Sequence, residues 1–296
     1  GVYYDGVYRT DDAGAHWTRV FEGHIRSVTV DPNDEDVIYA GSEPVSLFRS
    51  EDRGDHWEEI SSLQNLPDEV KKEWWFPTDP HLGHVLNIFI QPGDSRVIYL
   101  SLEHGGIVRS LDRGATWEDV SGGIDYLDIH MVAGLPGSDD RLFAATARGF
   151  YVSDDPADGW LRAENGFKRD YFHNFLFLQP PSAGDPPTML IATADKSPGS
   201  WNRPEGAKGA LFRSDDAGGS WHQIGAGLPD STPELTWALV PNPHDPNGVF
   251  IGMGGAFRGG GDTSPGTILQ TRDRGDTWEP IAAAVPPVRA LWAAPE

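Results

Sequence analysis

Six times along this chain, a Ser or Thr is followed seven residues later by a Trp. The pairs are Thr10/Trp17, Ser50/Trp57, Ser110/Trp117, Ser153/Trp160, Ser214/Trp221 and Thr271/Trp278. Each stretch also has an Asp two residues after the hydroxyl residue, and five of the six have a Gly two residues after that Asp. The fourth stretch has Ala157 in the Gly position, which predicts a distorted turn. A pattern (S/T)-x-D-x-G-x-x-W that repeats from end to end predicts a repeat architecture for the whole chain.

The residues before these motifs are apolar and strand-like, and another short strand follows each Trp. The motif is therefore predicted to be a hairpin turn, in which the hydroxyl and carboxylate accept turn N–H groups and Gly supplies a positive φ. It resembles the Asp-box, or BNR, repeat of sialidases, xyloglucanases and photosystem-assembly-factor-like propellers. That resemblance implies that the boxes are structural and lie away from the active site, so we assign their Asp residues no catalytic role.

Each repeat contains four predicted strands, and short strands with Gly-rich turns are typical of a propeller. The N-terminal repeat lacks a first strand, whereas residues 287–295 (PVRALWAAP) look like a first strand without followers. We therefore predict a single all-β domain over residues 1–296: a six-bladed β-propeller with four-stranded antiparallel blades. The C-terminal strand is expected to join the N-terminal blade, which removes a free sheet edge.

The composition limits the partners and the chemistry. A net charge of −22 argues against nucleic acid and against anionic membrane surfaces. The absence of Cys removes disulfides, thiolate catalysis and Cys-bound metals. No membrane-length apolar run and no signal peptide are visible, which favours a soluble, cytoplasmic protein, although the initial Gly leaves an upstream segment and secretion open. A small-molecule or carbohydrate substrate is the expected partner.

Histidines recur in one register of the repeat. His24, His84 and His173 each lie eight residues before a Pro, and Asp128 holds that register in the intervening repeat, with His130 two residues on. The predicted metal ligands are His24, His84, His130 and His173. Carboxylates recur as well, and the predicted supporting acids are Glu43, Glu103, Asp195 and Asp128. Imidazoles braced by acids are typical of metal sites, here for a divalent Fe, Cu, Zn or Mn ion.

The site design is similar to that of carotenoid-cleaving oxygenases, in which axial His residues bind iron. The alternative that these His residues bind no metal carries equal weight. Propeller channels contain water to which a His can bind, and repeats duplicated from one ancestor can share a His that has no function. For the metal-dependent enzyme, whose class (oxygenase, lyase or hydrolase) is left open, the predicted catalytic groups are His104, Glu103 and Glu43. The predicted substrate wall comprises Trp74, Trp75, Trp201, Arg203, Trp237 and Arg258, although loop packing explains these Trp residues equally well.

Two further functions stay open. The first is a glycoside hydrolase of the Asp-box propeller type without a transition metal, for which Glu43 and Glu103 are the carboxylate pair to test. Sialidase activity is disfavoured, because the resemblance implies an Arg-Ile-Pro motif that this chain lacks. The second is a non-catalytic assembly or binding propeller, since a fold does not decide a function.

Overall fold

The computed structural model describes residues 5–138, 140–163, 165–201, 205–228, 231–254 and 265–293. Two compact units are distinguished, and the single-domain organisation stays a prediction. Unit 1 comprises Gly1–Gly134, Ser138–Ala144 and Tyr151–Leu161, and unit 2 comprises Leu135–Gly137, Ala145–Phe150 and Arg162–Glu296. Across the described residues, the strands form five four-stranded sheets and one two-stranded sheet. The predicted all-β class with four-stranded antiparallel blades is confirmed.

Unit 1 begins with the two-stranded sheet, which consists of β1 (Gly6–Arg9) and β2 (Thr18–Glu22). The next sheet consists of β3 (Ile25–Asp31), β4 (Asp34–Ser42), β5 (Leu47–Ser50) and β6 (Glu58–Glu59). A 3-10 turn (Ser61–Asn65) and helix α1 (Asp68–Lys71) follow. The third sheet consists of β7 (His84–Gln91), β8 (Asp94–Glu103), β9 (Gly106–Ser110) and β10 (Glu118–Asp119).

The fourth sheet contributes residues to both units and consists of β11 (Ile129–Gly134), β12 (Leu142–Thr146), β13 (Gly149–Ser153) and β14 (Leu161–Arg162). Unit 2 continues with β15 (Tyr171–Leu178), β16 (Thr188–Ala194), a 3-10 turn (Pro198–Ser200), β17 (Ala210–Ser214) and β18 (His222–Ile224). Its last sheet consists of β19 (Thr236–Pro241), β20 (Val249–Met253), β21 (Gly266–Thr271) and β22 (Glu279–Val285). None of the described helices has the length and apolar character needed to cross a membrane.

The core lies between consecutive sheets. In unit 1, Leu47, Val85 and Leu100 are fully buried in one cluster that joins the β3–β6 sheet to the β7–β10 sheet. In unit 2, Leu190 and Ile251 join the last two sheets in the same way. Because successive strand residues point to opposite faces, each middle strand supplies side chains to both neighbouring interfaces. This packing fixes the sheets against each other and so places their strand ends.

The Asp-box turns have the predicted structural role. In the second box, Ser50 Oγ accepts the backbone N–H of Gly54 at 2.8 Å, and Asp52 Oδ1 accepts that of His56 at 2.8 Å. The same two bonds recur in the boxes that begin at residues 10, 110, 214 and 271. The carboxylates are thus occupied by the turns that they stabilise.

The fourth box departs from this geometry, as its Ala157 predicts. Ser153 Oγ donates to the carbonyl of Gly159 at 2.7 Å, and Asp155 Oδ1 accepts the N–H of Ala157 at 2.9 Å. The hydroxyl therefore no longer receives the N–H of the Gly position. The distortion follows from the missing Gly, which in the regular boxes has φ near 90°.

The prediction of six four-stranded blades is wrong for the described residues, because the N-terminal segment supplies only the β1–β2 pair. Residues 287–293 have no strand assignment. Val288 nevertheless packs on Gly252 of β20. In the same way, Val85 packs on Gly41 of β4, and Val85 belongs to the first strand of the sheet that follows. This segment thus takes the place of a first strand beside β20, and the closure of a ring stays a prediction.

Candidate functional site

The site in unit 1 forms where β7 begins and β8 ends. His84 and Glu103 are direct cross-strand partners there, whereas Ile98 of β8 pairs with Ser110 at the far end of the sheet. Because Ser110 begins an Asp-box, the boxes and the His84–Glu103 pair lie at opposite ends of this sheet. The predicted site residues His84 and Glu103 therefore lie at the end of this sheet that is away from its box.

Three charged side chains, Glu103, Arg26 and Glu43, surround His84. Its Nε2 contacts the carboxylate of Glu103 and lies 2.6 Å from Nη2 of Arg26, and its Nδ1 lies 3.5 Å from Oε2 of Glu43. Arg26 also pairs with both acids, at 3.4 Å from Glu43 and 3.5 Å from Glu103. The His84 side chain is 1% exposed and that of Glu43 is 7% exposed. Buried charges are stabilised only when they are paired, and here two carboxylates surround one guanidinium and one imidazole.

A second group of side chains lies at the start of β11. Asp128 Oδ2 is 3.4 Å from Nε2 of His104, and Asp128 Oδ1 is 3.4 Å from Nε2 of His130. His104 occupies the β8–β9 turn with a φ of 55°, a conformation that is uncommon for a side-chain-bearing residue. The N–H groups of Gly105 and Gly106 both donate to the carbonyl of Leu127, which holds the turn against the β11 strand.

Glu103 connects the two groups electrostatically. Burial by itself raises the pKa of Glu103. The hydrogen bond with His84 and the positive charges of His84, His130 and Arg26 lower that pKa by more, so it falls from 4.5 to about 2. Glu103 is therefore an anion at neutral pH, and with its side chain 20% exposed it can still reach a ligand. It is ionised, as a base or nucleophile must be, and it is unsuited to donate a proton.

Aromatic side chains cover this site from the segment between α1 and β7. The Phe76 ring lies 5.3 Å from His84 and 5.2 Å from His104, and Trp75 stacks on His81 at 4.7 Å with an interplanar angle of 8°. Trp75 is 52% exposed, so one face of its indole is available to a ligand. Trp74 instead packs on the core of unit 1. Of these two predicted wall residues, Trp75 has the exposure that a substrate wall requires.

Arg26 is the residue that the sequence analysis missed. It stands two positions after His24, whose side chain is exposed to solvent and whose carbonyl accepts the N–H of Glu43 at 2.9 Å. The guanidinium of Arg26, and not the imidazole of His24, approaches His84. The sequence held a signal for Arg26, because Arg26 and His24 are two positions apart and are therefore predicted to share one face of the strand. The count of residues to the following Pro selected His24 instead.

The registers of the repeats differ from the predicted alignment. Each of four first strands carries a bulge, and the bulged residues are Arg26, Leu86, His173 and Trp237. His173 thus corresponds to Arg26, whereas Tyr171, the partner of Ala194, takes the position of His84. The predicted common register of His24, His84 and His173 is therefore wrong by two residues for His173. The error arises because two extra residues follow β15 before Pro181.

Unit 2 holds the other predicted residues in an aromatic cluster. His173 packs edge to face on Trp237 at 5.0 Å, and Trp237 lies under the guanidinium of Arg289 at 4.1 Å. Trp201 is 2% exposed and donates its indole N–H to the carbonyl of Lys196, so it is a packing residue and no substrate wall. Asp195 pairs with Lys208 at 3.7 Å and lies one residue beyond the position equivalent to Glu103. Arg203 and Arg258, also predicted for the wall, lie outside the described residues.

The predicted metal site is not formed among the residues that the structure describes. Over the described ranges, no three His, Cys, Asp or Glu side chains are placed to hold one ion. At His84 the reason is electrostatic, because the Arg26 guanidinium approaches the nitrogen expected to bind the metal and repels a second cation. Neither the ligand set His24, His84, His130 and His173 nor a site for Fe, Cu, Zn or Mn is found in this part of the chain.

A model of the BNR-Asp box repeat matches residues 47–60, which contain the second of the turns described above. This chain is an Asp-box repeat β-propeller. The xyloglucanase of Hypocrea jecorina (strain QM6a) is 25% identical to this propeller over 94% of the chain and 36% of the relative. The crystal structure of the GH74 xyloglucanase from Xanthomonas campestris has a TM-score of 0.67 and 20% identity, and the match covers 94% of this chain and 42% of that one.

A further similar structure is that of YCF48 bound to a D1 peptide, with a TM-score of 0.55 and 17% identity over 94% of this chain and 77% of that one. At these identities the solved structures establish the propeller fold alone. The chain spans about a third of the length of the Hypocrea relative. The curated relatives overturn the interpretation as a metal-dependent enzyme and favour the alternative, a glycoside hydrolase of the Asp-box propeller type.

Proposed function

We propose that this Asp-box propeller carries a glycoside hydrolase site for a neutral glucan of the xyloglucan type, without a transition metal. The observation that carries the proposal is the sequence of acidic and imidazole groups where β8 ends and β11 begins: Glu103 ends β8, and the adjacent His104 has its Nε2 3.4 Å from Oδ2 of Asp128. The xyloglucanase relatives supply the substrate class. The chain covers only part of the length of those relatives.

Glycoside hydrolysis needs one group that protonates the departing oxygen and one that assists attack at the anomeric carbon. Glu103 is held as an anion and is assigned the second role, as base or nucleophile. His104, with its Nε2 near Asp128, is assigned the first role. A proton passes from His104 to the glycosidic oxygen as the C–O bond breaks. Glu103 either takes a proton from the water that attacks the anomeric carbon, or attacks that carbon itself to form a glycosyl ester, which water then hydrolyses as His104 takes up a proton from that water.

We assign Glu43 a role that differs from the one that the sequence predicts. It lies on the Nδ1 side of the His84 ring, whereas Glu103 contacts Nε2. A ring between two carboxylates prevents them from flanking one glycosidic bond. Glu43 is also more buried than Glu103, with 7% against 20% of the side chain exposed. We therefore assign Glu43 to the support of His84 and Arg26.

The charges of the site favour a neutral substrate. Arg26 is paired with Glu43 and Glu103, so its charge is already balanced. Because that guanidinium faces two protein carboxylates, it is not available to bind the carboxylate of a uronate or a sialic acid. The exposed face of Trp75 offers an apolar surface on which a sugar ring can rest.

A panel of substrates tests this proposal. Purified protein is incubated separately with xyloglucan, a mixed-linkage β-glucan, a polygalacturonate and a sialyl-lactose, and the products are identified by mass spectrometry. We expect new reducing ends from the neutral glucans only, and none from an E103Q variant. Cleavage of the sialylated or uronate substrate, or equal release by E103Q, would contradict the proposed site.

A non-catalytic binding propeller is the second candidate. The observation in its favour is the share of each similar chain that this chain matches. The match covers 77% of the peptide-bound YCF48 chain but only 42% of the Xanthomonas xyloglucanase chain. Retention of xyloglucan oligosaccharides without any cleavage by the wild-type protein would favour this second function.

A further inference from the structure

Arg26 is the bulged residue of β3, opposite β4 and between Ile25 and Ser27. A β-bulge changes the direction of a side chain and bends its strand, and bulges are common next to functional sites. From this position the guanidinium extends to the following sheet, where it meets His84 and Glu103. It thereby bridges two sheets of unit 1 at the end that carries the candidate site.

The two terminal nitrogens of Arg26 are directed to two different acids. Nη1 lies 3.4 Å from Glu43, which directly follows β4, and Nη2 lies 3.5 Å from Glu103, which ends β8. A planar guanidinium has a fixed angle between its N–H groups, so it holds both carboxylates in a defined relation. The Arg26 side chain is only 15% exposed, which strengthens these ion pairs relative to surface pairs.

We propose that Arg26 is a positioning residue of this hydrolase, which fixes Glu103 for reaction by clamping it to Glu43 across the two sheets. This inference rests on the proposed function. Arg26 acts through Glu103 and does not bind the sugar, because its terminal nitrogens face protein carboxylates. It therefore sets the rate of the chemical step and leaves substrate affinity nearly unchanged.

The test compares R26Q and R26K with the control R96Q. Arg96 also pairs with a carboxylate, Asp94, but it is 73% exposed at the opposite end of the β7–β8 hairpin. For R26Q we expect kcat on xyloglucan oligosaccharides to fall by about 10- to 100-fold, the usual cost of losing an orienting partner, with KM changed by less than about threefold. R26K recovers part of the rate, because an ammonium supplies the charge without the fork. A rise in KM with an unchanged kcat, or R26Q kinetics like those of R96Q, would overturn the proposal.

A second readout is independent of activity. The ¹⁵N resonance of His84 Nε2 reports the nitrogen that lies 2.6 Å from Arg26. We expect this resonance to move in R26Q and to stay in R96Q, whether or not any glycoside is cleaved. If wild-type protein cleaves nothing while the resonance moves in R26Q, the hydrolase proposal fails and Arg26 has only a structural role. If the resonance does not move in R26Q, the proposal that Arg26 holds this group of side chains is contradicted. Should R26Q fail to fold, R26K carries both measurements.

Discussion

Nη2 of Arg26 lies 2.6 Å from Nε2 of His84, although the two residues are 58 positions apart and belong to neighbouring sheets. The same nitrogen of His84 contacts the Glu103 carboxylate. Because Nε2 carries either one proton or one lone pair, it can donate to Glu103 or accept from Arg26, but not both at once. His84 is thus the centre on which the buried charges of this site depend.

Removal of His84 is expected to destabilise the protein. In H84A, Glu43 and Glu103 lose their shared ring, and we expect the free energy of unfolding to fall by about 3 kcal/mol, as for a broken buried ion pair. Denaturant unfolding measures this loss. H222A is the control, because His222 is exposed on β18 and its removal should change stability by less than about 0.5 kcal/mol. Equal stability of the two variants would contradict the charge network.

Glu103 is expected to make stability depend on pH in the acid range. Its pKa in the folded protein is about 2, below the ordinary 4.5. Its stabilising contribution is therefore complete above pH 4.5 and is lost as the pH falls from 4.5 through about 2. We expect the stability difference between wild type and E103Q to be constant near neutral pH and to shrink below pH 4.5. Urea unfolding across this range measures it, and a difference that stays constant down to pH 3 would show that Glu103 is not held as an anion.

The hydroxyl of a regular Asp-box is expected to contribute more to stability than its neighbours in the turn. Ser110 Oγ accepts the buried N–H of Gly114 at 2.8 Å, so S110A leaves that donor unpaired and should cost about 1–2 kcal/mol. T116A removes an exposed hydroxyl that donates to Asp112 in the same turn, and it should cost less than about 0.5 kcal/mol. Thermal unfolding compares the two. A larger loss in T116A would reverse the assignment.

Trp75 is expected to contribute to the binding of sugars. W75A should weaken the affinity for a xyloglucan oligosaccharide about tenfold, which corresponds to about 1.4 kcal/mol of lost contact. Isothermal titration calorimetry on the non-cleaving E103Q background gives the dissociation constant. W17A is the matched control, since Trp17 is 60% exposed on an Asp-box turn. Similar affinities for the two variants would exclude Trp75 from the binding surface.

Much of this architecture could be predicted from the sequence. The six spaced Trp motifs identified the turns, and even the distortion at Ala157 followed from the missing Gly. His84, Glu103, Asp128 and His130 also lie at or near strand ends, where the sequence analysis placed them, because the period of two in a strand assigns residues to faces; their roles stay predictions. These features depend on local spacing, which a sequence records directly.

The errors concern non-local properties. Two extra residues follow β15 before Pro181, so the correspondence of Arg26 with His173 could not be read from a count to the next Pro. The alignment of Asn87 with Asn174, each directly after a bulged residue, was the available clue. The burial of Trp201 depends on how its loop packs, which periodicity does not encode. The contact between Arg26 and His84 joins two sheets across 58 positions of the chain, which local spacing does not encode.

The rate of glycosidic cleavage by E103Q, compared with wild type on xyloglucan, tests the central claim most directly. Glu103→Gln keeps the size and shape of the side chain but removes the anion that the site assigns to the reaction. We expect cleavage to fall on the order of a thousandfold or more while the bound oligosaccharide retains its affinity. Cleavage by E103Q at the wild-type rate would show that the chemistry of this propeller does not occur at the Glu103–His104 site.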